Sequence, residues 1–365
     1  MAKKKGKVIV GMSGGVDSSV TAYLLQQEGW DVIGVFMKNW EDAFENPDYR
    51  DTSISGCSWE DDYADVRRVC DQLGIPYLTF NFVEEYKQLV FDSFLEELKK
   101  GRTPNPDIAC NQEIKFHLFL KKALQVEGVT HVATGHYAKI TEQEDGRYVL
   151  TRPADSNKDQ TYFLYRIEPD VLEHVLFPLA DLEKEEVRAI AAEQQFPNAD
   201  KKDSTGICFI GDIDYGAFID QYLEKKPGDI ITTEGKVIGE HQGLHFYTIG
   251  QRKGINIGGT GPYFVAEKRM ETNELVVTNN SNDPLLYQQE CVVKEMHWLQ
   301  TSEMPFRCDV QVRYRQQAQP AEITTSEHGV HIRFDEPQRA ITVGQSAVVY
   351  VDDTVVGGGI IDATI

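Results

Sequence analysis

A strand that runs without a break into a glycine-rich turn, and then into a helix, constrains this chain more than any other feature. Residues 7–10 read Lys7-Val8-Ile9-Val10, a β-branched apolar run of the kind buried on both faces of a sheet. The turn follows at once as Gly11-Met12-Ser13-Gly14-Gly15-Val16-Asp17-Ser18-Ser19. Residues 18–27 carry apolar side chains at helical spacing, and Gly29 marks the stop. A strand buried on both faces needs a layer on each side, and the following stretch supplies it. Strands are predicted at 32–37, 76–82 and 131–134, and helices at 64–73, 84–100 and 112–125. This alternation predicts an α/β, doubly wound parallel sheet with helices on both faces. Ligands of such sheets bind outside the carboxyl ends of the strands. The glycine turn, Met37 and Gly135-His136 all fall at predicted strand ends, so one crevice would gather them.

The texture changes towards the end of the chain. A helix is predicted at 181–195, with Pro197 beyond it, and another at 214–225. Glycine density then rises, and short strands are predicted at 229–233, 244–249, 263–268 and 274–278. Asn279-Asn280-Ser281-Asn282-Asp283-Pro284 is a linker signal. Beyond it, strands at 291–299, 307–315, 330–334, 346–351 and 354–361 have the spacing of a small β-barrel. At 365 residues the chain should hold two or three domains, and these boundaries give 1–212, a β-rich central domain at 213–282 and a barrel at 283–365.

Composition matters where partners are concerned. The formal net charge is −21, which argues against generic nucleic-acid binding, because phosphate affinity comes largely from Lys and Arg. Any RNA contact has to rest on local patches: Lys99, Lys100 and Arg102; Lys201 and Lys202; Lys225 and Lys226; Arg252 and Lys253; Arg313 and Arg315. No apolar run approaches the ~20 residues that cross a bilayer. The basic start lacks the longer apolar core of a signal peptide, so the expected compartment is the cytoplasm. Six cysteines, Cys57, Cys70, Cys110, Cys208, Cys291 and Cys308, contain no Cys-x-x-Cys pair, and no structural zinc site is expected. Cys70, Cys291 and Cys308 sit in apolar patterns and read as buried thiols, while Cys57 lies in a polar loop and is left unassigned.

The glycine turn follows a strand and opens a helix, so its backbone N–H groups and the helix N-terminus face an anion. No lysine follows it, so it is not Gly-x-x-x-x-Gly-Lys-Ser/Thr, and it does not match Gly-x-Gly-x-x-Gly either. Ser13-Gly14-Gly15-Val16-Asp17-Ser18 instead resembles the pyrophosphate loop of ATP pyrophosphatases, which cleave ATP between the α- and β-phosphates. Glycines allow close backbone approach, Ser13 and Ser18 offer hydroxyls, and Asp17 can help hold Mg²⁺. Met37 would lie at the adenine edge or serve simply as core. Two further segments carry cysteines: Asn105-Pro106-Asp107-Ile108-Ala109-Cys110-Asn111 and Asp203-Ser204-Thr205-Gly206-Ile207-Cys208-Phe209. Both are polar and contain glycine or proline. Residues 101–106, with two prolines, should form a surface loop that delivers Asp107 and Cys110 to the crevice. A free thiol titrates at about 8.5, and Lys115, or Lys201 and Lys202, would lower that value. Asp107 is a candidate general acid-base. The other reading of Cys110 and Cys208 is two unrelated buried thiols.

Taken in order, the motifs are the loop Gly11 to Ser19, Phe36-Met37-Lys38-Asn39-Trp40, the stretch 101–111, Thr134-Gly135-His136-Tyr137, Asp155-Ser156-Asn157-Lys158-Asp159-Gln160, the stretch 202–211, Gly250-Gln251-Arg252-Lys253-Gly254 and Val312-Arg313-Tyr314-Arg315. The set closely resembles the bacterial tRNA-specific 2-thiouridylases over nearly the whole chain. The resemblance implies an N-terminal fold like that of the adenine nucleotide α-hydrolases. It implies ATP and Mg²⁺, tRNA for lysine, glutamate and glutamine as substrate, and a persulfide-donor protein as partner. Gly11, Met12, Ser13, Gly14, Gly15, Val16, Asp17, Ser18, Met37 and Gly135 would then hold the nucleotide. By the same resemblance Cys110 is the nucleophile and Cys208 the persulfide carrier, and the two form a disulfide as sulfur leaves. Asn105, Pro106 and Asp107 would contact the flipped uridine, with Asp107 assisting proton transfer. His136, Lys158, Asp159, Gln160, Arg313, Tyr314 and Gln345 would contact tRNA. The alternative is an amidating ligase with the same loop, which leaves Cys110 and Cys208 without roles.

Overall fold

The computed structural model describes residues 5–41, 59–203, 215–255, 257–258, 261–300, 303–327 and 329–365. The chain divides into two units, one of Met1–Asp92, Pro106–Ile213 and Asp353–Val355, the other of Ser93–Asn105, Asp214–Asp352 and Val356–Ile365.

In the first unit the opening apolar run forms β1 (Lys7–Met12), the middle strand of a five-stranded parallel sheet. On one side lie β2 (Asp31–Lys38) and then β3 (Tyr77–Asn81); on the other lies β4 (Val129–Ala133). A hairpin of β5 (Lys139–Glu142) and β6 (Tyr148–Thr151) follows, and β7 (Val175–Leu176) then pairs with β4. The order β3-β2-β1-β4-β7 proceeds in one direction from β1 to β3 and in the other from β4 onward. The topological switch point therefore lies between β1 and β4, where an open α/β sheet places its ligand crevice.

Side chains alternate along β1. Val8, Val10 and Met12 join a core with α1 (Val16–Gln27) and α2 (Trp59–Leu73). Gly11 faces the other way, where an added Cβ would lie 3.6 Å from the ring of Phe119. Phe119 belongs to α3, which runs from an α-turn at Pro106–Ala109 through a π-helical stretch at Cys110–Phe119 to a last turn at Leu120–Ala123. The sheet is thus covered on both faces. Val187 and Ala191 of α4 (Lys184–Glu193) complete the first core, and a reciprocal capping box of Glu183 and Glu186 opens that helix.

Helix α3 begins at Pro106, not at 112 as the apolar spacing predicts. A proline read as a breaker is here a helix opener, because the first turn needs no N–H from it and its φ is already helical. The consequence corrects the expectation for Cys110. It lies inside a helix and is wholly buried, at 0% exposure, not on a polar surface loop.

The second unit holds two sheets. β8 (Gly228–Thr232), β9 (Val237–His241), β10 (Phe264–Arg269) and β11 (Glu274–Thr278) pair in the order β10-β11-β8-β9. Residues 244–249 form no strand; Leu244–Phe246 is a 3₁₀ turn. Leu244 and Tyr247, three positions apart, both enter the core, which an alternating strand does not allow. β12 (Tyr287–Trp298), β13 (Phe306–Gln311), β14 (Gln319–Ser326), β15 (Gly329–Arg339), β16 (Ser346–Val351) and β17 (Thr354–Thr364) follow in the order β12-β15-β14-β13-β16-β17. β12 and β17 pair back on each other and close the barrel, which leaves no free sheet edge. The strand β14 escaped the sequence reading because it is polar overall, yet Ala321 and Ile323 point inward at alternate positions. No helix among the described residues is long and apolar enough to cross a membrane.

Candidate active site at the sheet switch point

At the carboxyl end of β1 the chain turns through Ser13, Gly14 and Gly15 into α1. Gly14 has φ +78°, and a Cβ there would sit 2.7 Å from the backbone oxygen of Asp62. Only glycine meets both conditions. The Ser13 N–H donates to Ser18 Oγ at 3.2 Å, and Ser18 Oγ donates to the Gly15 carbonyl at 3.1 Å. Asn198 Nδ2 clamps the turn by donating to the Gly14 carbonyl at 2.9 Å and to Ser19 Oγ at 3.0 Å. The result is a tight turn fixed at the start of a 12-residue helix, where the backbone dipoles favour an anion. Across the switch point, Gly135 follows β4, and a Cβ on it would lie 2.9 Å from Asp17 C and Ser18 N. Met37, near the end of β2, is buried, and its Cε lies 3.1 Å from where a Gly11 Cβ would be.

Asp17 is held from two distant parts of the unit. Tyr137 Oη donates to its Oδ1 at 3.0 Å and Lys184 Nζ at 2.6 Å. Burial, reinforced by the Asp17 charge, pushes the Tyr137 phenol up, so it stays a donor. Lys184 also lies 2.9 Å from Asp203 Oδ1. Burial alone would raise the Asp203 carboxyl, but hydrogen bonds and charge from Lys158 and Lys184 prevail and bring it down to about 2. Lys201 ties the loop to α2: its Nζ is 2.6 Å from Asp62, 2.7 Å from Asp65 and 3.4 Å from the Gly14 carbonyl.

Asp107 and Cys110 are three residues apart at the start of α3, a spacing that puts both on one helical face. One position on, Asn111 Nδ2 donates to the Phe163 carbonyl at 3.0 Å, and its Oδ1 accepts from Lys115 Nζ at 2.8 Å. Lys115 Nζ is also 3.4 Å from His136 Nε2, whose Nδ1 lies 2.7 Å from Thr134 Oγ1. Burial first, and the Lys115 charge second, hold His136 well below the ordinary histidine range. The ring is therefore neutral. With Lys115 donating to Nε2, the ring proton sits on Nδ1 and goes to Thr134. A path of direct contacts thus runs from the Cys110 helix through Lys115 to His136, and the adjacent Gly135 abuts Asp17. Cys208 lies outside the described residues, as does Cys57.

The residues expected at tRNA are divided between the units. In the first, Lys158 Nζ holds Asp203 Oδ2 at 2.6 Å, Asp159 accepts from Arg152, and Gln160 Oε1 accepts from the Tyr137 N–H at 2.9 Å. In the second, Gln345 Nε2 donates to the Thr103 carbonyl at 2.8 Å, while the Thr103 N–H donates to the Val343 carbonyl at 2.9 Å. Gln345 therefore sets the shape of the segment that carries Asn105. Arg313 and Tyr314 follow β13, where Gln311 Nε2 donates to the Arg313 carbonyl at 3.2 Å. Gly250, at φ +80°, stands beside the guanidiniums of Arg313 and Arg339. Several of the basic patches are consumed by internal ion pairs: Lys99 with Glu96, Lys100 with Glu97, Arg102 with Glu97 and Asp362, and Lys225 with Asp220. Arg252 and Lys253 are exposed and have no acidic partner among the described residues.

Comparison with known proteins bears directly on this arrangement. Residues 6–212 match the family model described as the tRNA methyl transferase HUP domain, residues 216–279 its PRC-barrel domain, and residues 288–361 the aminomethyltransferase beta-barrel domain. The tRNA-specific 2-thiouridylase MnmA of Idiomarina loihiensis is 49% identical, over 100% of this chain and 98% of its own length. The proteins of the same name from Shouchella clausii and Staphylococcus aureus are 50% and 48% identical, covering 98% and 99% of this chain and 96% of each relative. The chain belongs to the tRNA-specific 2-thiouridylase family. This member of the 2-thiouridylase family builds its loop site with Tyr137, which the sequence motifs include without a role, and with Lys184 and Asn198, which they do not include. Tyr137, Lys184 and Asn198 reach the loop across 120, 167 and 184 residues of chain. Lys184 opens an ordinary amphipathic helix, and no local signal distinguishes it from a solvated lysine. Buried Asn39, included in the motif at 36–40 without a role, has an amide with no hydrogen-bond partner among the described residues.

Proposed function

We propose that this protein is a tRNA-uridine 2-sulfurtransferase. It adenylates the 2-oxygen of the wobble uridine in the tRNAs for lysine, glutamate and glutamine with ATP, and then replaces AMP with persulfide sulfur. The observation that supports this most is the contact path from the Cys110 helix, through Lys115 and His136, to Gly135 and Asp17 of the glycine turn. An amidating ligase would need the loop but gives Cys110 and Asp107 nothing to do.

The chemistry follows from that pairing. A uridine carbonyl oxygen is a poor leaving group. Attack of that oxygen on the α-phosphate releases pyrophosphate and leaves an adenylated ring from which AMP departs readily. Sulfur arrives as a persulfide on Cys208 from a donor protein. In one route the terminal sulfur adds at C2, AMP leaves, and the Cys110 thiolate attacks the Cys208 sulfur, freeing the thiolated base and forming a Cys110–Cys208 disulfide. In the other, Cys110 attacks the persulfide first, and the released hydrosulfide adds at C2. Both routes end with the same disulfide, which a thiol reductant reopens. Asp107, on the face of Cys110, handles the proton. The base has to leave the anticodon stack to be reached.

Mg²⁺ suits the hard oxygen donors that Asp17 and the phosphates offer, and when bound it offsets phosphate charge. Residues 1–212 carry the chemistry, while 213–282 and 283–365 carry RNA recognition, through Arg252, Lys253, Arg313 and Tyr314. The neutral His136 serves RNA contact, as do Asp159, Gln160, Asn105 and Pro106. The cytoplasm, where tRNA and the sulfur donor meet, is the compartment of action. Mass spectrometry of the wobble nucleoside after incubation with ATP and a persulfide donor tests the reading. A sulfur-for-oxygen mass gain is expected; an unmodified uridine beside consumed ATP would sink it.

A further inference from the structure

The loop at the end of β1 has no lysine, yet the triphosphate it is built to receive is strongly anionic. The missing positive charge is assembled from elsewhere in the first unit. Lys184, at the first position of α4, has a side chain only 10% exposed. Its backbone N–H donates to Asp155 Oδ2 at 2.9 Å, which fixes the helix start. Its ammonium bridges Asp17 Oδ1 of the loop, at 2.6 Å, and Asp203 Oδ1, at 2.9 Å. One helical turn on, Arg188 Nη2 reaches the same Asp203 oxygen at 2.8 Å. Lys158 Nζ holds the other Asp203 oxygen at 2.6 Å. Three cations therefore converge on a single carboxylate that stands one ammonium away from the glycine loop. Arg188, Asp203 and Lys158 are each about one-third exposed, so the cluster opens to solvent and is not sealed in the core.

An isolated carboxylate does not need three cations, and a pyrophosphate does. We propose that Lys158, Lys184 and Arg188 form the subsite for the pyrophosphate end of the nucleotide, and that Asp203 is an internal placeholder which the β- and γ-phosphates displace. The inference rests on the ATP-cleaving reading above and assigns to it residues beyond the loop itself. The chemistry fits. The planar guanidinium of Arg188 pairs with two phosphate oxygens at once, and Lys184 carries its charge to the loop as a compact point donor. Loss of the cations to the phosphates also releases Asp17 from Lys184. Lys158, expected from the resemblance at tRNA, then acts from the nucleotide side.

The placeholder makes a prediction of opposite signs, which a merely structural ion cluster does not. Binding of inorganic pyrophosphate, in buffer containing Mg²⁺, is read by titration calorimetry on the full chain, alongside AMP as a control ligand. Arg188→Met should weaken pyrophosphate about tenfold or more and leave AMP within about twofold, with Arg188→Lys recovering part of the loss. Asp203→Asn should tighten pyrophosphate, because the competing anion is gone. The subsite is overturned if Asp203→Asn weakens pyrophosphate as Arg188→Met does, or if neither variant moves it. Should Arg188→Met fail to fold, Asp203→Asn and Lys158→Met carry the test with the same signs. Calorimetry needs no turnover, so the two levels separate. Wild-type protein that binds pyrophosphate but never releases AMP from ATP with tRNA would defeat the proposed function and leave the subsite standing.

Discussion

The switch-point end of the parallel sheet and the interior of the barrel each hold a wholly buried cysteine, but they are filled differently. The barrel core is aliphatic and aromatic: Val293, Ile323, Ile332, Phe334 and Val349 close around Cys291, whose thiol burial pushes up to about 12. A thiol there stays protonated and inert. Cys110 is just as buried, yet its helix neighbours are Asp107, Asn111 and Lys115, and beyond them lie a neutral histidine and a run of ion pairs. Burying charge and polar groups is destabilising unless each finds a partner. The barrel avoids that burden almost everywhere, with Tyr350 and Gln311 as an internal pair at 3.1 Å. The switch point accepts it in one dense cluster. The difference teaches that burial of a cysteine says little about its use; what shares its space decides.

The largest effects should separate the two thiols. Cys110→Ser should lower sulfur incorporation by on the order of 10³-fold or more while tRNA binding stays near normal, whereas Cys291→Ser should keep its turnover per folded molecule. Equal losses in both would erase the contrast. Next comes the loop. Asp17→Ala should slow ATP-dependent AMP release by on the order of 10²-fold, read by chromatography of the nucleotides, because a carboxylate that would help hold Mg²⁺ on the phosphates is lost. An unchanged rate would mean that the aspartate serves only to anchor Lys184.

The barrel side is expected to respond in stability instead. Ile323→Ala removes a wholly buried side chain from an apolar wall and should cost about 2–5 kcal/mol in urea unfolding, with AMP release per folded molecule unaltered. A variant that folds normally but loses catalysis would show the two regions to be coupled.

The smallest effect concerns Lys268, which lies in the second unit with its ammonium donating to the Tyr247 carbonyl at 3.0 Å. Burial brings its pKa down to about 8. The unfolded lysine titrates at about 10.4. Between those values the unfolded chain binds the extra proton, so this group makes stability rise with pH from about 8 to about 10.4. Below that window the folded protein bears the strain of a poorly solvated charge. Lys268→Met should flatten the rise and raise stability at neutral pH, as thermal melts across that range would show. A wild type and variant with parallel profiles would remove the burden assigned to the lysine.

Much of this was legible in the chain. The β1–turn–α1 start, the alternation after it, the linker before the barrel and the alternating strands beyond are all patterns among near neighbours, and the structure follows them. Misreadings arose where a local rule had two outcomes. Pro106 can break a helix or open one, and here it opens α3. Leu244 to Ile249 is apolar enough for a strand, but burial three residues apart makes it a turn. Gln319 to Ser326 looks polar because its outward half dominates the count.

The sequence by itself determined the parallel sheet, the place of the glycine turn and the spacing of Asp107 and Cys110, since periodicity and turn chemistry act between residues a few positions apart. Tertiary structure alone decided which cations face the turn. Lys184 and Asp17 are separated by 167 residues and meet at 2.6 Å. Ion pairs and hydrogen bonds gain their strength over a few ångströms of space, and no spacing along a chain records that distance.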